Sequence, residues 1–254
     1  MEDRPLTLLL GLAHPDDEVG AAGTVLAQRA RGDRVVIVWL TRGELTDAYG
    51  NGVAPDEVAR RRTALGEQAG RVLDAETRFL DFPDTRVRDT PEAVEEVAQL
   101  VAELRPDAVL TWGDAWHRGM RHPDHQRCGR VFRDAVTVAR IRHRVRGRPP
   151  HRGFTPVFTY RDEYSALPAT AVDVEPHLDA VRELARLYHD ELSFGDPGWL
   201  EKRLRETGER WGAGWAEEFD AWETLPRLAG SLLPATPSDS LRHPEREEVV
   251  KRAL

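Results

Sequence analysis

Apolar positions along this chain come in short continuous runs, separated by longer segments in which they recur at helical spacing. Residues 6–13 (LTLLLGLA), 34–41 (RVVIVWLT) and 107–112 (DAVLTW) are runs of the first kind. Their length and abrupt ends predict strands buried on both faces. Residues 77–82 form a shorter run that closes at Pro83-Asp84. Segments 19–31, 56–73 and 91–104 read as helices, the last with Pro91 at its start, where a missing N–H costs little. A further helix follows His122-Pro123-Asp124-His125 and runs to about Arg142. Residues 155–160 and 170–174 read as late strands and 176–192 as a helix. This alternation predicts βαβ units, hence an α/β fold with a mostly parallel sheet. Right-handed crossovers then place the carboxyl ends of the strands on one rim.

From Asp196 the pattern changes. Trp199, Trp211, Trp215 and Trp222 gather there, and residues 233–243 are rich in turn formers. Gly195-Asp196-Pro197-Gly198 marks a boundary between an α/β body, residues 1–194, and a helical carboxyl-terminal extension, residues 195–254, packed on it. Trp215, Phe219 and Trp222 fall at helical spacing and are expected to form the packing face. No internal repeat is visible.

Composition narrows the function. The 254 residues can bury a substantial core, and a net charge of −8 argues against nucleic acid as a partner. The basic stretch 139–153 lacks interleaved aromatics and reads as a solvated loop or a subunit contact. The acidic start MEDRPL leads straight into a strand, so no signal peptide is expected. No apolar run approaches the roughly 18–20 residues of a membrane span. A single cysteine, Cys128, suits a reducing compartment and reads as a core thiol. A soluble cytoplasmic protein is expected, with homo-oligomerisation left open.

The candidate chemistry sits where strands hand over to helices. After the first strand comes His14-Pro15-Asp16-Asp17-Glu18, and after the fourth comes His122-Pro123-Asp124-His125. Three adjacent carboxylates repel one another unless a cation is near. Histidine and carboxylate are ordinary zinc ligands, and three of them with an open position make a catalytic site. Each motif alone also reads as a helix cap. Both on one rim point to metal. The acidic loop has no glycine-rich signature and would repel a pyrophosphate, which rules out dinucleotide chemistry.

With Ala13 before it, the first motif reads AHPDDE. Paired with HPDH, it resembles the PIG-L/LmbE family of metal-dependent N-acetylglucosaminyl deacetylases. Residues 40–44 (LTRGE), 79–84 (FLDFPD) and 171–174 (AVDV), the last followed by Arg182, Ala185 and His189, are similar to further family segments. The resemblance covers residues 6–192 and implies a Rossmann-like sheet with helices on both faces. It also implies a zinc ion, or another divalent cation, held by His14, Asp17 and His125. Asp16 would be the general base, and a cationic His122 would face the substrate carbonyl. Arg42, Glu44, Arg61, Trp116 and His117 are the expected substrate contacts, with Arg62 an alternative to Arg61. Glu18 and Glu44 would orient ligands or sugar, and Asp124 would fix a histidine tautomer or cap its helix. Two departures stand out: Met120 lies where the family often has tyrosine, and Ala64 where it carries glutamate.

The expected activity is hydrolysis of the N-acetyl amide of a small N-acetylglucosamine-type molecule, releasing acetate and a free amine. The alternatives are an amidase for a larger acyl group or a thiol conjugate of the same sugar, and an idle metal or sugar binder. Asp16 favours catalysis, because holding a metal needs no base.

Overall fold

In a computed structural model that describes residues 4–113, 121–162, 164–193 and 196–235, the first apolar run becomes β1, Thr7–Leu12. All six of its residues are buried, because it lies mid-sheet with parallel neighbours on both edges. A short turn of helix over Asp17–Ala21 leads into α1, Ala22–Ala30. The chain continues through β2 (Arg34–Trp39), α2 (Pro55–Val72), β3 (Glu76–Phe79), α3 (Pro91–Leu104), β4 (Ala108–Thr111), α4 (Pro123–Val138) and β5 (Val157–Tyr160). β6 (Ala169–Asp173), α5 (Leu178–Leu192), α6 (Pro197–Trp211), β7 (Ala216–Ala221) and β8 (Arg227–Ala229) complete it.

The sheet order is β3-β2-β1-β4-β5-β7-β6-β8, with β3 to β5 all parallel. The strand order reverses between β1 and β4, and that switch point opens a crevice at their carboxyl ends. Both histidine motifs follow these two strands. Right-handed crossovers put α1 and α2 on one face of the sheet and α3 and α4 on the other. Gly11 of β1 permits a close approach, since a Cβ there would fall 2.4 Å from the Phe132 ring of α4.

Beyond residue 195 the structure corrects the sequence reading. α6 is helical, but Trp215, Phe219 and Trp222 do not share a helix: they lie on or beside β7. β7 is antiparallel to β5 and to β6 and sits between them, so this segment belongs to the sheet and is no helical appendage. The helical spacing of the aromatics was coincidental. Phe219 is fully buried, and Trp222 donates its indole N–H to Thr159 Oγ1 at 2.9 Å. The basic stretch after α4 lies against α3, where Arg144 pairs with Glu95 and Arg148 with Glu103. Among the described residues, no helix is long and apolar enough to cross a membrane.

Candidate metal centre

Each motif is delivered by a chain reversal. β1 ends before Pro15, which has no N–H for the sheet, and the following turn swings Asp17 back under the strand end. There Asp17 Oδ2 accepts from the N–H groups of Ala13 (2.8 Å) and His14 (3.0 Å) and from Trp112 Nε1 (2.9 Å). Three donors on one oxygen leave Oδ1 to face His125 Nε2 at 3.2 Å. In the second motif, His122 caps α4 through its Nδ1, which accepts from Asp124 N at 3.3 Å. That places His125 on the first turn of α4, its ring stacked on Trp112 with centroids 3.8 Å apart.

The two histidines meet across the switch point, with His14 Nδ1 3.3 Å from His125 Nε2. His14 Nε2 faces Asp84 Oδ1 at 3.3 Å and Asp124 Oδ2 at 3.4 Å. A ligand histidine whose other nitrogen is fixed by carboxylates is the usual arrangement at a metal. Asp124 is itself held by the N–H groups of Thr85 (2.7 Å) and Val87 (3.2 Å). Donor atoms of His14, His122 and His125 lie within 4.8 Å of one another, as do those of His14, Asp84, His122 and Asp124.

The electrostatics call for a cation. Burial would strip His14 of its proton, but hydrogen bonds to Asp124 and Asp84, with the charges of Asp17 and Asp16, reverse this and raise its pKa from 6.5 to about 10. Burial likewise opposes ionisation of Asp17, yet His125, His14 and the His14 N–H outweigh it and hold the carboxyl below its ordinary range. Burial and the neighbouring histidines push the His122 pKa below its ordinary 6.5, against the cationic form expected from the sequence. This excess of buried carboxylate, together with two facing ring nitrogens, fits a divalent metal.

Around the histidines, Asp16 points its carboxylate at Arg62, with Oδ2 3.0 Å from Nη2. Burial, the largest influence, raises the Asp16 pKa against the opposing pull of Arg62. Glu18 is fully buried: it accepts from Asp16 N and Trp39 Nε1, both at 3.1 Å, and from the Tyr188 hydroxyl. It therefore fixes the backbone of the motif from below. Tyr160 donates to the Asp17 carbonyl at 2.8 Å.

The expected substrate contacts divide. Glu44 accepts from Asp84 N at 2.8 Å while Asp84 accepts from Leu45 N at 2.9 Å, so the two acids tie neighbouring loops together. Arg42 is engaged by Thr63 and Asp81 and lies over the Phe79 ring. Arg61 is exposed, pairs with Glu57 and lies over the Tyr49 ring, whereas Arg62 is the arginine that reaches Asp16. The reason is helical phase: Arg62 lies on the buried stripe of α2 with Val58, Leu65 and Ala69. Trp116, His117 and Met120 lie outside the described residues. Trp112, Tyr160, Tyr188 and Asp84 were not singled out from sequence as parts of the site. Only Asp84, at the close of the third strand, carried a signal. Cys128 is fully buried and its thiol lies 3.4 Å from the Gly11 carbonyl, a core position.

The fold and this cluster define an α/β protein with a histidine–carboxylate cluster that could hold a metal in its switch-point crevice. Residues 9–136, half of the chain, match the PIG-L model, described as GlcNAc-PI de-N-acetylase, and the chain belongs to this family. It is similar to a 1D-myo-inositol 2-acetamido-2-deoxy-alpha-D-glucopyranoside deacetylase of Nocardia farcinica, with 34% identity over 157 residues, 52% of either chain. It is 33% identical over 128 residues to a diacetylchitobiose deacetylase of Thermococcus kodakarensis, 50% of this chain and 47% of that one. The chain spans about half the length of the curated relatives it matches. Its fold is shared with the N,N'-diacetylchitobiose deacetylase of Pyrococcus horikoshii, at a TM-score of 0.76 and 23% identity, over 87% of this chain and 84% of that one.

Proposed function

We propose that the protein is a zinc-dependent hydrolase that removes acetyl from an N-acetylglucosamine-type small molecule. The observation that carries this reading is His125 Nε2, which lies 3.3 Å from His14 Nδ1 and 3.2 Å from Asp17 Oδ1, with the Asp16 carboxylate held separately by Arg62. These three residues would hold the metal, which supplies Lewis-acid polarisation of the amide and activation of water at neutral pH.

The chain's own residues divide the remaining work. Asp16, steadied by Arg62 and by the Glu18 anchor on its backbone, takes the proton of the attacking water and returns it to the leaving amine. His122 accepts at Nδ1 from Asp124 N, so its Nε2 carries the proton and can donate to the oxygen on which charge develops. Trp112 braces His125 by stacking and Asp17 by its indole N–H. The single cysteine suits work in the cytoplasm.

Metal content and amine release test the reading together. The wild type should bind one divalent metal per chain, and His125→Ala should lose it. Asp16→Asn should keep the metal while kcat falls by about 10²–10⁴, the range of general acid–base catalysis. Wild-type turnover by Asp16→Asn would overturn the mechanism, and failure to bind any divalent metal would overturn the assignment.

A further inference from the structure

One wall of a cavity of about 230 Å³ is formed by Asp16, Asp17 and His125, and the rest of it is unlike a sugar site. Val19, Ala185 and Leu200 contribute aliphatic surface, and Trp199 stands at the edge, 57% exposed. The polar atoms of the other aromatic walls are already engaged: Trp112 Nε1 on Asp17, the Tyr160 hydroxyl on the Asp17 carbonyl and the Tyr188 hydroxyl on Glu18. Away from Asp16, Asp17, His125 and Arg203, sugar hydroxyls placed against the described walls would lose water without gaining partners. Arg203, the one arginine among the described residues of the wall, lies over the Trp199 ring at 5.7 Å. Trp199, Leu200 and Arg203 come from α6, beyond the residues 9–136 that match the family.

From this cavity we infer that the protein accepts N-acyl chains longer than acetyl, of about four to eight carbons, and binds them against α5 and α6. The inference rests on the hydrolase reading of this site and widens its acyl group from acetyl to these longer chains. Two arguments favour an acyl chain over an aglycone. The acyl substituent is bonded directly to the carbonyl carbon that must sit beside Asp16. An aglycone is separated from that carbon by the amide nitrogen, two ring carbons and the glycosidic oxygen. Size agrees: a methyl group occupies roughly the 30 Å³ of one water, a small part of the 230 Å³ available.

The test is a series of methyl glycosides of N-acetyl-, N-butyryl-, N-hexanoyl- and N-octanoylglucosamine, assayed for amine release by the metal-loaded protein. kcat/KM should rise by up to about fourfold per methylene as far as hexanoyl, the effect of burying each CH₂. Calorimetry on Asp16→Asn should show Kd falling along the same series. Trp199→Ala, at an exposed position, should reduce the hexanoyl-to-acetyl ratio severalfold, and Leu200→Trp should reduce it further by filling the cavity. Turnover that is fastest with acetyl and declines with length would leave the hydrolase reading standing and overturn this one. So would acceleration by an octyl aglycone on the N-acetyl sugar without any response to acyl length. If no amide is cleaved, the hydrolase reading fails, and a Kd on Asp16→Asn that does not change with acyl length overturns the cavity assignment as well.

Discussion

Arg62 is 3% exposed, its Nη2 lies 3.0 Å from Asp16, and its Nε has no partner among the described residues. Arg62→Ala would leave the Asp16 carboxylate beside Asp17 without its counter-charge. Since Arg62 holds the Asp16 pKa down against burial, its loss should move the acidic limb of the pH profile of kcat/KM to higher pH. Breaking such a pair costs about 3–5 kcal/mol, so thermal unfolding should also come earlier. An unmoved acidic limb would show that Arg62 does not act through Asp16. At this scale the motif residues were legible because they are adjacent in sequence and chemically improbable without a cation. Arg62 was not separable from Arg61 by type. Only the phase of α2, with Val58, Leu65 and Ala69 buried and Arg61 outside, distinguishes them.

The seating of α4 against the end of β4 rests on a single missing side chain. A Cβ on Gly129 would lie 2.1 Å from the Trp112 carbonyl oxygen, a backbone atom that cannot swing aside. Gly129→Ala should therefore shift α4, disturb the stacking of Trp112 on His125, and weaken metal binding along with stability. Overpacking costs about 1–3 kcal/mol, roughly 2–4 °C in Tm for each in a domain of this size. A calorimetric scan with a metal titration reads both. A second contact between elements spans the sheet: Glu217 of β7 accepts from Gly23 N (2.9 Å) and Thr24 N (2.8 Å), capping α1, whose own N-cap residue, Ala21, has no side-chain acceptor. Burial outweighs these hydrogen bonds and pushes the Glu217 pKa up from 4.5 to about 7. The protonated carboxyl is thus favoured by folding: its contribution is fully present below pH 4.5 and is lost as pH rises through 7. Denaturant unfolding of Glu217→Gln should show a smaller fall in stability between pH 5 and pH 8 than the wild type. An identical fall would mean that Glu217 is not the group responsible. Strand and helix alternation was legible through β6 because each element carries its own period; Glu217 as a cap was not, being nearly two hundred residues from its helix.

At the scale of the molecule, removing residues 214–254 takes β7 from between β5 and β6 and should abolish cooperative folding. A separate appendage would come off and leave a folded, metal-binding body, so circular dichroism and solubility of the shortened chain decide between the two. The continuous apolar runs determined a parallel α/β sheet, and the two histidine motifs, each following a strand, determined that a cluster of histidines and carboxylates able to hold a metal would lie on its carboxyl rim. Both follow from local periodicity and from the fixed hand of crossovers, which act wherever the pattern occurs. What only the tertiary structure decided is pairing over long sequence distance. It inserted β7 antiparallel into the sheet, although its aromatics have helical spacing. It laid the basic stretch on the glutamates of α3. It brought Trp112, Tyr160 and Tyr188 around the switch point, with α6 closing one side of the cavity. None of these partners is marked by a local period, because a contact between distant residues is selected by the shape and charge of the surface that the folded chain presents.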